Sequence, residues 1–511
     1  MSANIELEPQ VKIVVTVAVM VAAIMQMIDT TITNVALPHM QGSLSATQDQ
    51  LAWVLTSYIV AAAIMTLPIG WLAGRYGQKN VVLCSLAGFT FASLLCGMAS
   101  SLNEMIMFRI MQGVFGAALV PLSQSIILDI NRPEQQTKAM TLWAISVMLG
   151  PILGPTLGGF LTESYSWRWV FYINLPLGIA AFVAIIVMMP DSKRVERRFD
   201  ILGFFTLALS IAGVQLILDR GHQLDWFSST EIQFYFALIL ASIWVYITHT
   251  RVTNNPFITP AILHDRNFMT AFAFMFICGL VLLATMALMP PYMQTLMGYS
   301  VSDTGMILAP RGFGSLIAMV IVGWVGPRIE ARNIVFFGLL LTAYSLKVMC
   351  TFSTFVPAGL IIENGVLQGL GLGFVFMPLS TVAYVTLKPE LRAEAAGLFS
   401  LVRNLGSSIG VSIGFVLFAR NVQIQHAYLA ENITPYSFRY GLHQLPQVQG
   451  DGVASALLLL DAEIYKQAAT IAYINDFRVM MWVVLAAVPM TLLLRTKAQL
   501  AADSTSDIIK V

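Results

Sequence analysis

Fourteen long apolar stretches run through this chain and decide most of what it can fold into. A helix that crosses a bilayer needs about 20 mainly apolar residues. Hydrophobic residues make up 57% of the chain and charged residues only 11%, whereas a soluble domain is about 25% charged. The sequence therefore predicts an all-α integral membrane protein and excludes an ordinary cytosolic enzyme. The predicted spans are 13–37, 51–73, 80–100, 105–128, 138–161, 168–189, 201–219, 231–250, 268–292, 303–325, 333–352, 357–383, 396–420 and 477–495.

Positive charge is concentrated in the loops on one side of the predicted spans. The connector 190–200 carries Lys193, Arg194, Arg197 and Arg198, and it lies on the same side as the N-terminus. Cytoplasmic loops carry the excess of Lys and Arg. We therefore expect both termini in the cytoplasm. The N-terminal segment lacks the basic start and cleavage site of a signal peptide, so the first span is expected to be retained.

The two halves of the chain repeat each other. The stretch 112–121 in the fourth span matches 368–378 in the twelfth, and 70–75 at the end of the second span matches 323–328 at the end of the tenth. Two parallel repeats of six helices around a central site are typical of rocking transporters. The alternative is that glycine-rich helix packing recurs by chance in any large membrane protein.

The repeat predicts three parts of the chain. An N-terminal six-helix bundle covers 1–190, and a C-terminal six-helix bundle covers 267–511. Between them, 191–266 contains the charged connector and two additional spans. A long outer loop is expected at 421–476, within the C-terminal part. Loops longer than about 12–15 residues are usually functional or disordered.

The order of the motifs resembles the major facilitator superfamily, and among its members the fourteen-span drug:proton antiporters of the EmrB type. Residues 28–38 resemble the first-span signature of that family, 70–79 the loop motif after the second span, and 109–113 the fourth-span motif. Residues 150–159 resemble the antiporter motif of the fifth span. The resemblance implies a major facilitator fold in the inner membrane of a bacterial cell. It also implies export of hydrophobic or amphipathic drug-like compounds, for which a proton gradient supplies the energy and no cofactor is needed.

The antiporter motif is unusual as a helix. In water, Gly costs about 1 kcal/mol and Pro about 3 kcal/mol relative to Ala within a helix. In a bilayer, packed neighbours satisfy the freed backbone groups, and a smooth glycine face allows another helix to approach closely. The residues expected to form this bendable, tightly packed face are Gly150, Pro151, Gly154, Pro155, Gly158 and Gly159.

The loop motif departs from the family at one position. The superfamily usually has Asp where this chain has Gly74, so its salt bridge cannot be carried over in full. We expect Arg75 and Lys79 to pair with Asp129 or with helix ends instead. The residues assigned to this gating loop are Gly70, Arg75, Gly77, Lys79 and Asp129.

Ionisable residues inside spans are costly and are functional candidates by default. Asp29 and Arg109 fall at similar depth in the first bundle, so a proton could bind and leave Asp29 as water access changes. The alternative is a static buried pair that fixes helix register. Glu363 is a second candidate for proton coupling. Arg311 and Arg403 could hold an anionic substrate or a structural carboxylate.

The substrate pocket is expected to be apolar and adaptable. The chain has 27 Met and 30 Phe, and Met-rich surfaces suit promiscuous binding. For any one of these side chains, helix packing or lipid contact is the alternative. The candidates for the pocket are Met25, Gln26, Gln112, Gln368, Phe374, Phe376 and Arg403.

Several other functions lack their sequence signature. There is no phosphate-binding loop of a nucleotide-driven pump, the six His show no metal-ligand spacing, and no metal site is expected. A receptor or intramembrane enzyme would need an output domain or a catalytic group. An uptake symporter or facilitator of the same fold remains the nearer alternative.

The resemblance also implies partner proteins. Exporters of the EmrB type work with a periplasmic adaptor and an outer-membrane channel. Residues 453–473 have helical spacing and could present an apolar face to such a partner. The alternative is a flexible or capping loop.

Overall fold

The computed structural model is a bundle of helices joined by short connections. It describes residues 8–431 and 452–494, apart from 45, 47, 192–193, 195–197, 222–223, 254–255, 327 and 389–390. The helices are α1 (Pro9–Ser43), α2 (Gln48–Thr66), α3 (Ile69–Tyr76), α4 (Gln78–Met98), α5 (Leu102–Gly116), α6 (Leu119–Ile130), α7 (Pro133–Ser164), α8 (Trp169–Tyr172), α9 (Asn174–Met188), α10 (Ile201–Arg220), α11 (Thr230–Val252), α12 (Pro260–His264), α13 (Arg266–Pro291), α14 (Val301–Leu308), α15 (Pro310–Val325), α16 (Ala331–Met349), α17 (Ala358–Val385), α18 (Arg392–Glu431) and α19 (Gly452–Ala487). A π-helical turn, Tyr292–Leu296, follows α13, and 3₁₀ turns occupy Trp226–Ser228 and Val488–Leu493.

The apolar stretches form membrane-spanning helices. Within the described part of the chain, 12 helices are long and apolar enough to cross a membrane, and a thirteenth results if α2 and α3 count as one span. These two helices meet at a bend of 54°, next to Pro68, whose ring and missing N–H disfavour a continuous helix. The predicted fifth span lies in α7, which contains the shorter apolar segment Lys138–Gly150. The polytopic all-α fold is confirmed, and the number fourteen stays a prediction.

The segment 421–476 differs from the predicted outer loop. Helix α18 continues to Glu431, and α19 already begins at Gly452, well before the predicted last span at 477–495. The stretch rich in Ala and Leu before that span has high helix propensity, and it extends the helix beyond the apolar core. Only 432–451 lies between the two helices, and it is outside the described residues. The helix predicted from the spacing of 453–473 is confirmed.

Each half of the chain packs around its own first span. In the N-terminal half, α1 packs against α7 and α9; in the C-terminal half, α13 packs against α18. Helices α10 and α11 form a hairpin whose first helix contacts both halves. Gln215 on α10 donates to Ser408, and the Ser412 hydroxyl donates to the Leu218 carbonyl at 2.7 Å. The first of the two additional spans therefore lies against the junction of the halves, and the second packs against the first.

Candidate functional site

Asp29 on α1 lies at the centre of a buried polar cluster in the N-terminal half. Its side chain is 0% exposed. Arg109 Nη1 lies 2.7 Å from Oδ2, and Gln112 Nε2 lies 2.8 Å from Oδ1. Asn174 Nδ2 also donates to Oδ1, at 3.1 Å. Asp29 therefore accepts hydrogen bonds from three side chains, which lie on α5 and α9.

Arg109 reaches Asp29 from the first turns of α5. Its guanidinium also donates to Gln112 Oε1 at 2.8 Å and to the Val54 carbonyl at 3.1 Å. The same group lies 4.3 Å from the centre of the Tyr58 ring, a cation–π distance. Arg109 is 0% exposed. The predicted proximity of Asp29 and Arg109 is confirmed, and α2 completes the enclosure of the cation.

Asn174 and Ser93 join this cluster without having been predicted as site residues. Asn174, at the start of α9, donates to Asp29 and to Ser93 Oγ at 3.0 Å. Ser93 in turn donates to the Phe171 carbonyl at 2.9 Å. The sequence did contain a signal for Asn174, which is a polar amide at the start of an apolar helix. Because buried polar groups need partners, such an amide indicates a polar contact inside the bundle. We define Asp29, Arg109, Gln112 and Asn174 as the carboxylate cluster.

The glycines of α7 hold α1 close to them. A Cβ at Gly150 would lie 2.3 Å from Met27 Cβ, and a Cβ at Gly154 would lie 2.0 Å from Thr31 Oγ1. The Thr31 hydroxyl donates to the Gly150 carbonyl at 3.2 Å. The close helix approach predicted from the motif is confirmed, and it occurs next to Asp29.

The last two glycines of the motif differ from each other. Gly158 is buried, whereas a Cβ at Gly159 would meet nothing within 4 Å. The side chains of Pro151 and Pro155 are outside those that the structure describes. Among the described contacts, Gly150 and Gly154 carry the tight approach, and Gly159 has no part in it.

The gating loop joins the two halves at the end predicted to be cytoplasmic. A Cβ at Gly70 on α3 would lie 2.6 Å from the Glu394 Cα of α18, whereas one at Gly74 would meet nothing within 4 Å. Gly77 connects α3 to α4 with a φ of 86°, a conformation that favours glycine.

Asp129 belongs to the same junction. Its Oδ2 accepts from Gln78 at 2.9 Å, and its Oδ1 lies 3.8 Å from Arg392 of the other half. Lys79 pairs instead with Asp191 of the connector, at 3.8 Å. Arg75 is exposed and has a partner. This chain has Gly74 where the superfamily usually has Asp, and its Asp129–Arg392 pair connects the two halves at the same junction.

A second polar contact crosses the junction deeper in the bundle. The Tyr384 hydroxyl of α17 donates to Gln124 Oε1 of α6 at 3.2 Å, and both side chains are buried. This contact and the gating loop bring the halves together at the predicted cytoplasmic end.

The residues predicted for the substrate pocket do not converge on one site. Gln112 belongs to the carboxylate cluster, and Met25 is fully buried in the core of the first bundle. The Gln368 amide contacts the Met349 sulfur at 3.9 Å, and Phe374 packs against Phe337 with ring centres 5.7 Å apart. Gln26 is buried near Tyr58.

A small apolar cavity lies between the halves. Phe376 is the predicted pocket residue that lines it. Only one of its lining residues, Met148, comes from the N-terminal half. Its lining comprises Met148, Cys278, Leu282, Ser315, Met319, Leu372, Gly373 and Phe376.

The other candidate charges are dispersed. Glu363 on α17 is exposed and lies outside the carboxylate cluster. Arg403 contacts Ser400 Oγ at 3.5 Å. Arg311 is buried and donates to Thr285 Oγ1 at 2.9 Å and to the Leu282 carbonyl at 3.3 Å, next to the cavity. Neither arginine has an acidic partner within 4 Å among the described residues.

Comparison with known proteins gives a consistent relationship. The sequence profile of the Major Facilitator Superfamily matches residues 19–411. The chain is 33% identical to the multidrug export protein EmrB of Escherichia coli K12 over 428 residues, which cover 83% of this chain and 84% of that protein. It is 31% identical to the probable multidrug resistance protein EmrY of the same strain, over 91% of each chain. The solved structure of the proton:xylose symporter XylE superposes with a TM-score of 0.60 at 14% identity, covering 93% of this chain and 95% of that one.

Proposed function

The chain belongs to the Major Facilitator Superfamily of transporters, and we propose that it exports drug-like compounds across the bacterial inner membrane in exchange for protons. The observation that carries the proposal is the buried carboxylate cluster. Asp29 is the acidic member of that cluster, and it has a cation and two amides as partners. Two of the relatives are named as multidrug exporters or resistance proteins, which supports hydrophobic and amphipathic compounds as substrates.

The cluster suggests how a proton could be exchanged. In this conformation three donors occupy the Asp29 carboxylate oxygens, so some of them must move away when a proton binds there. The glycine face of α7 sets the position of α1, and α5 sets that of Arg109. A rocking motion that shifts α1 against α5 would lengthen the Asp29–Arg109 contact. Asp29 would then take up a proton while the substrate leaves.

The first test is drug accumulation in cells that lack the native gene. Wild-type protein should lower the accumulation of a fluorescent lipophilic cation, and an uncoupler should remove the difference. The Asp29→Asn variant, compared at a matched amount of protein in the membrane, should leave accumulation high. The matched control is Asp461→Asn, which changes an exposed carboxylate on α19. Higher accumulation with wild-type protein than without it would instead indicate an uptake symporter.

We also infer a periplasmic adaptor and an outer-membrane channel as partners. The supporting feature is the outer start of α19, where the Leu458 and Leu459 side chains are 71% and 52% exposed. Changing both to Ser should abolish co-purification of the adaptor and cellular resistance, while transport in liposomes persists. Adaptor binding that survives this change would place the docking surface elsewhere, for example on α10 and α11.

A further inference from the structure

A second buried carboxyl group lies in the C-terminal half, far along the chain from the carboxylate cluster. Asp476 is on α19, and its side chain is 1% exposed. The backbone carbonyl of Ile474, two residues earlier, accepts a contact from Cys350 Sγ at 3.8 Å. Because Cys350 follows the last residue of α16, Asp476 lies near the end of the bundle predicted to face outward.

Asp476 differs from Asp29 in that, within the described part of the chain, neither of its oxygens has a partner at hydrogen-bond distance. The Asn421 side chain on α18 is the polar group that approaches the carboxyl. No described cation lies within 4 Å of it. A buried ionised carboxylate without a partner costs several kcal/mol, and such a group takes up a proton instead. The environment therefore favours a neutral carboxylic acid at Asp476.

The groups around Asp476 would accommodate such a neutral acid. The titratable side chains near it are Tyr292 after α13, Cys350 at the end of α16, and Tyr473 one turn earlier on α19. Arg478 follows on α19; its side chain is exposed, and it lies near Cys350. Helix α18 contributes the neutral Asn421 and, beside it, the exposed Arg420.

The backbone near Asp476 includes the π-helical turn Tyr292–Leu296. Tyr292 opens the π-helical turn after α13, and its ring contacts Tyr473 with centres 5.2 Å apart. The Tyr292 hydroxyl donates to the Ser353 carbonyl at 2.9 Å. Turns of this type are rare and often occur at functional sites. A shift of this turn would move the Tyr292 ring relative to Tyr473 and so change the solvent exposure of this part of α19.

We propose that Asp476 is a second proton-binding site, which holds a proton in this conformation and releases it when movement of α19 admits water from the outer side. This inference rests on the proposed proton-coupled function. It assigns one proton-binding carboxyl group to each half of the transporter. The proton passes between the Asp476 carboxyl group and water, so no other reactant is needed.

Infrared spectroscopy of the purified full-length protein tests the proposal without any transport step. The wild-type protein should show the carbonyl stretch of a protonated carboxyl group, and this band should lose intensity as pH is raised. Asp476→Asn should remove the band, and Asp461→Asn, on the same helix, should leave it unchanged. If Asp476→Asn does not fold, Asp476→Glu should shift the band instead of removing it.

Two results would overturn the proposal. A band that is unchanged in both Asp476 variants would show that Asp476 is ionised or that the signal comes from another residue. A band that belongs to Asp476 but does not respond to pH while the protein stays folded would show a fixed neutral group. Failure of the proposed export function would be seen in the cell assay with Asp29→Asn, which is independent of the infrared signal.

Discussion

The carboxylate cluster makes Asp29 and Arg109 depend on each other, because both are fully buried. Breaking a buried ion pair from one side leaves an uncompensated charge and costs about 3–5 kcal/mol. We predict that Arg109→Met lowers the thermal stability of the detergent-solubilised protein strongly. The double variant Asp29→Asn with Arg109→Met should recover much of that loss. Additive losses in the two single variants and the double variant would contradict a direct pair.

Asn174 offers a milder change in the same cluster. Asn174→Leu removes a donor to Asp29 and to Ser93 without adding a charge. A buried polar group that loses its partner costs about 1–3 kcal/mol. We predict a moderate loss of thermal stability and a shift in the pH dependence of drug efflux, since one of the three donors to the carboxylate is gone. An unchanged pH profile would show that Asn174 only fills space.

The sequence predicted the centre of this site but not its full membership. Asp29 and Arg109 could be predicted to lie close together because the depth of each in the membrane follows from its position in a long apolar stretch. Asn174 and Ser93 come from helices whose rotation about their axes the sequence does not specify. Asp476 was assigned to a loop because Asp461, Glu463 and Lys466 interrupt the apolar pattern before it. In the structure Asp461 and Glu463 are exposed and Lys466 is half-buried, on a helix that continues through all three.

At the scale of helices, the glycines of α7 provide a matched comparison. Without steric conflict, Gly→Ala in a helix stabilises by about 1 kcal/mol. Gly159→Ala should therefore be neutral or slightly stabilising, because its new Cβ meets nothing within 4 Å. Gly154→Ala should destabilise the protein and reduce efflux, because its Cβ would lie 2.0 Å from Thr31 Oγ1. Equal behaviour of the two variants in melting temperature and efflux would contradict the assigned helix contact.

The gating loop allows a similar comparison. Gly70→Ala would place a Cβ against the backbone of α18 at Glu394, whereas Gly74→Ala would meet open space. We predict that Gly70→Ala reduces efflux severalfold at normal expression, because the halves can no longer close at this end. Gly74→Ala should retain efflux. Full efflux by Gly70→Ala, measured in the same cells, would show that this contact is not needed for closure.

Helices were predicted well from apolar length, and their ends were not. The bend between α2 and α3 follows from Pro68, which the sequence displays, but its angle depends on how α3 packs against α18. Helices α18 and α19 extend beyond the apolar stretches because helix propensity, rather than hydrophobicity, continues past them. Span limits drawn from hydrophobicity alone therefore lie inside the true helices.

At the scale of the whole molecule, the hydrogen bond between Tyr384 and Gln124 joins the two halves at the end predicted to be cytoplasmic. Alternating access requires the halves to separate there during transport, so this contact must break. Cys at both positions, in a background without the four native Cys, should be joined by a short bifunctional thiol reagent. We predict that joining them abolishes efflux. The control pair is Cys at Phe337 and Phe374, which contact each other within one half. Efflux that persists after complete joining of positions 124 and 384 would contradict alternating access.

The central claim is that Asp29 couples drug movement to proton movement. The most direct measurement uses purified protein in liposomes with an acidic lumen and a fluorescent drug that the cells have been shown to export. Wild-type protein should accumulate the drug only while the pH gradient is maintained. Asp29→Asn should still exchange drug for drug across the membrane but should accumulate none in response to the gradient. Accumulation by Asp29→Asn at the wild-type rate would contradict the account.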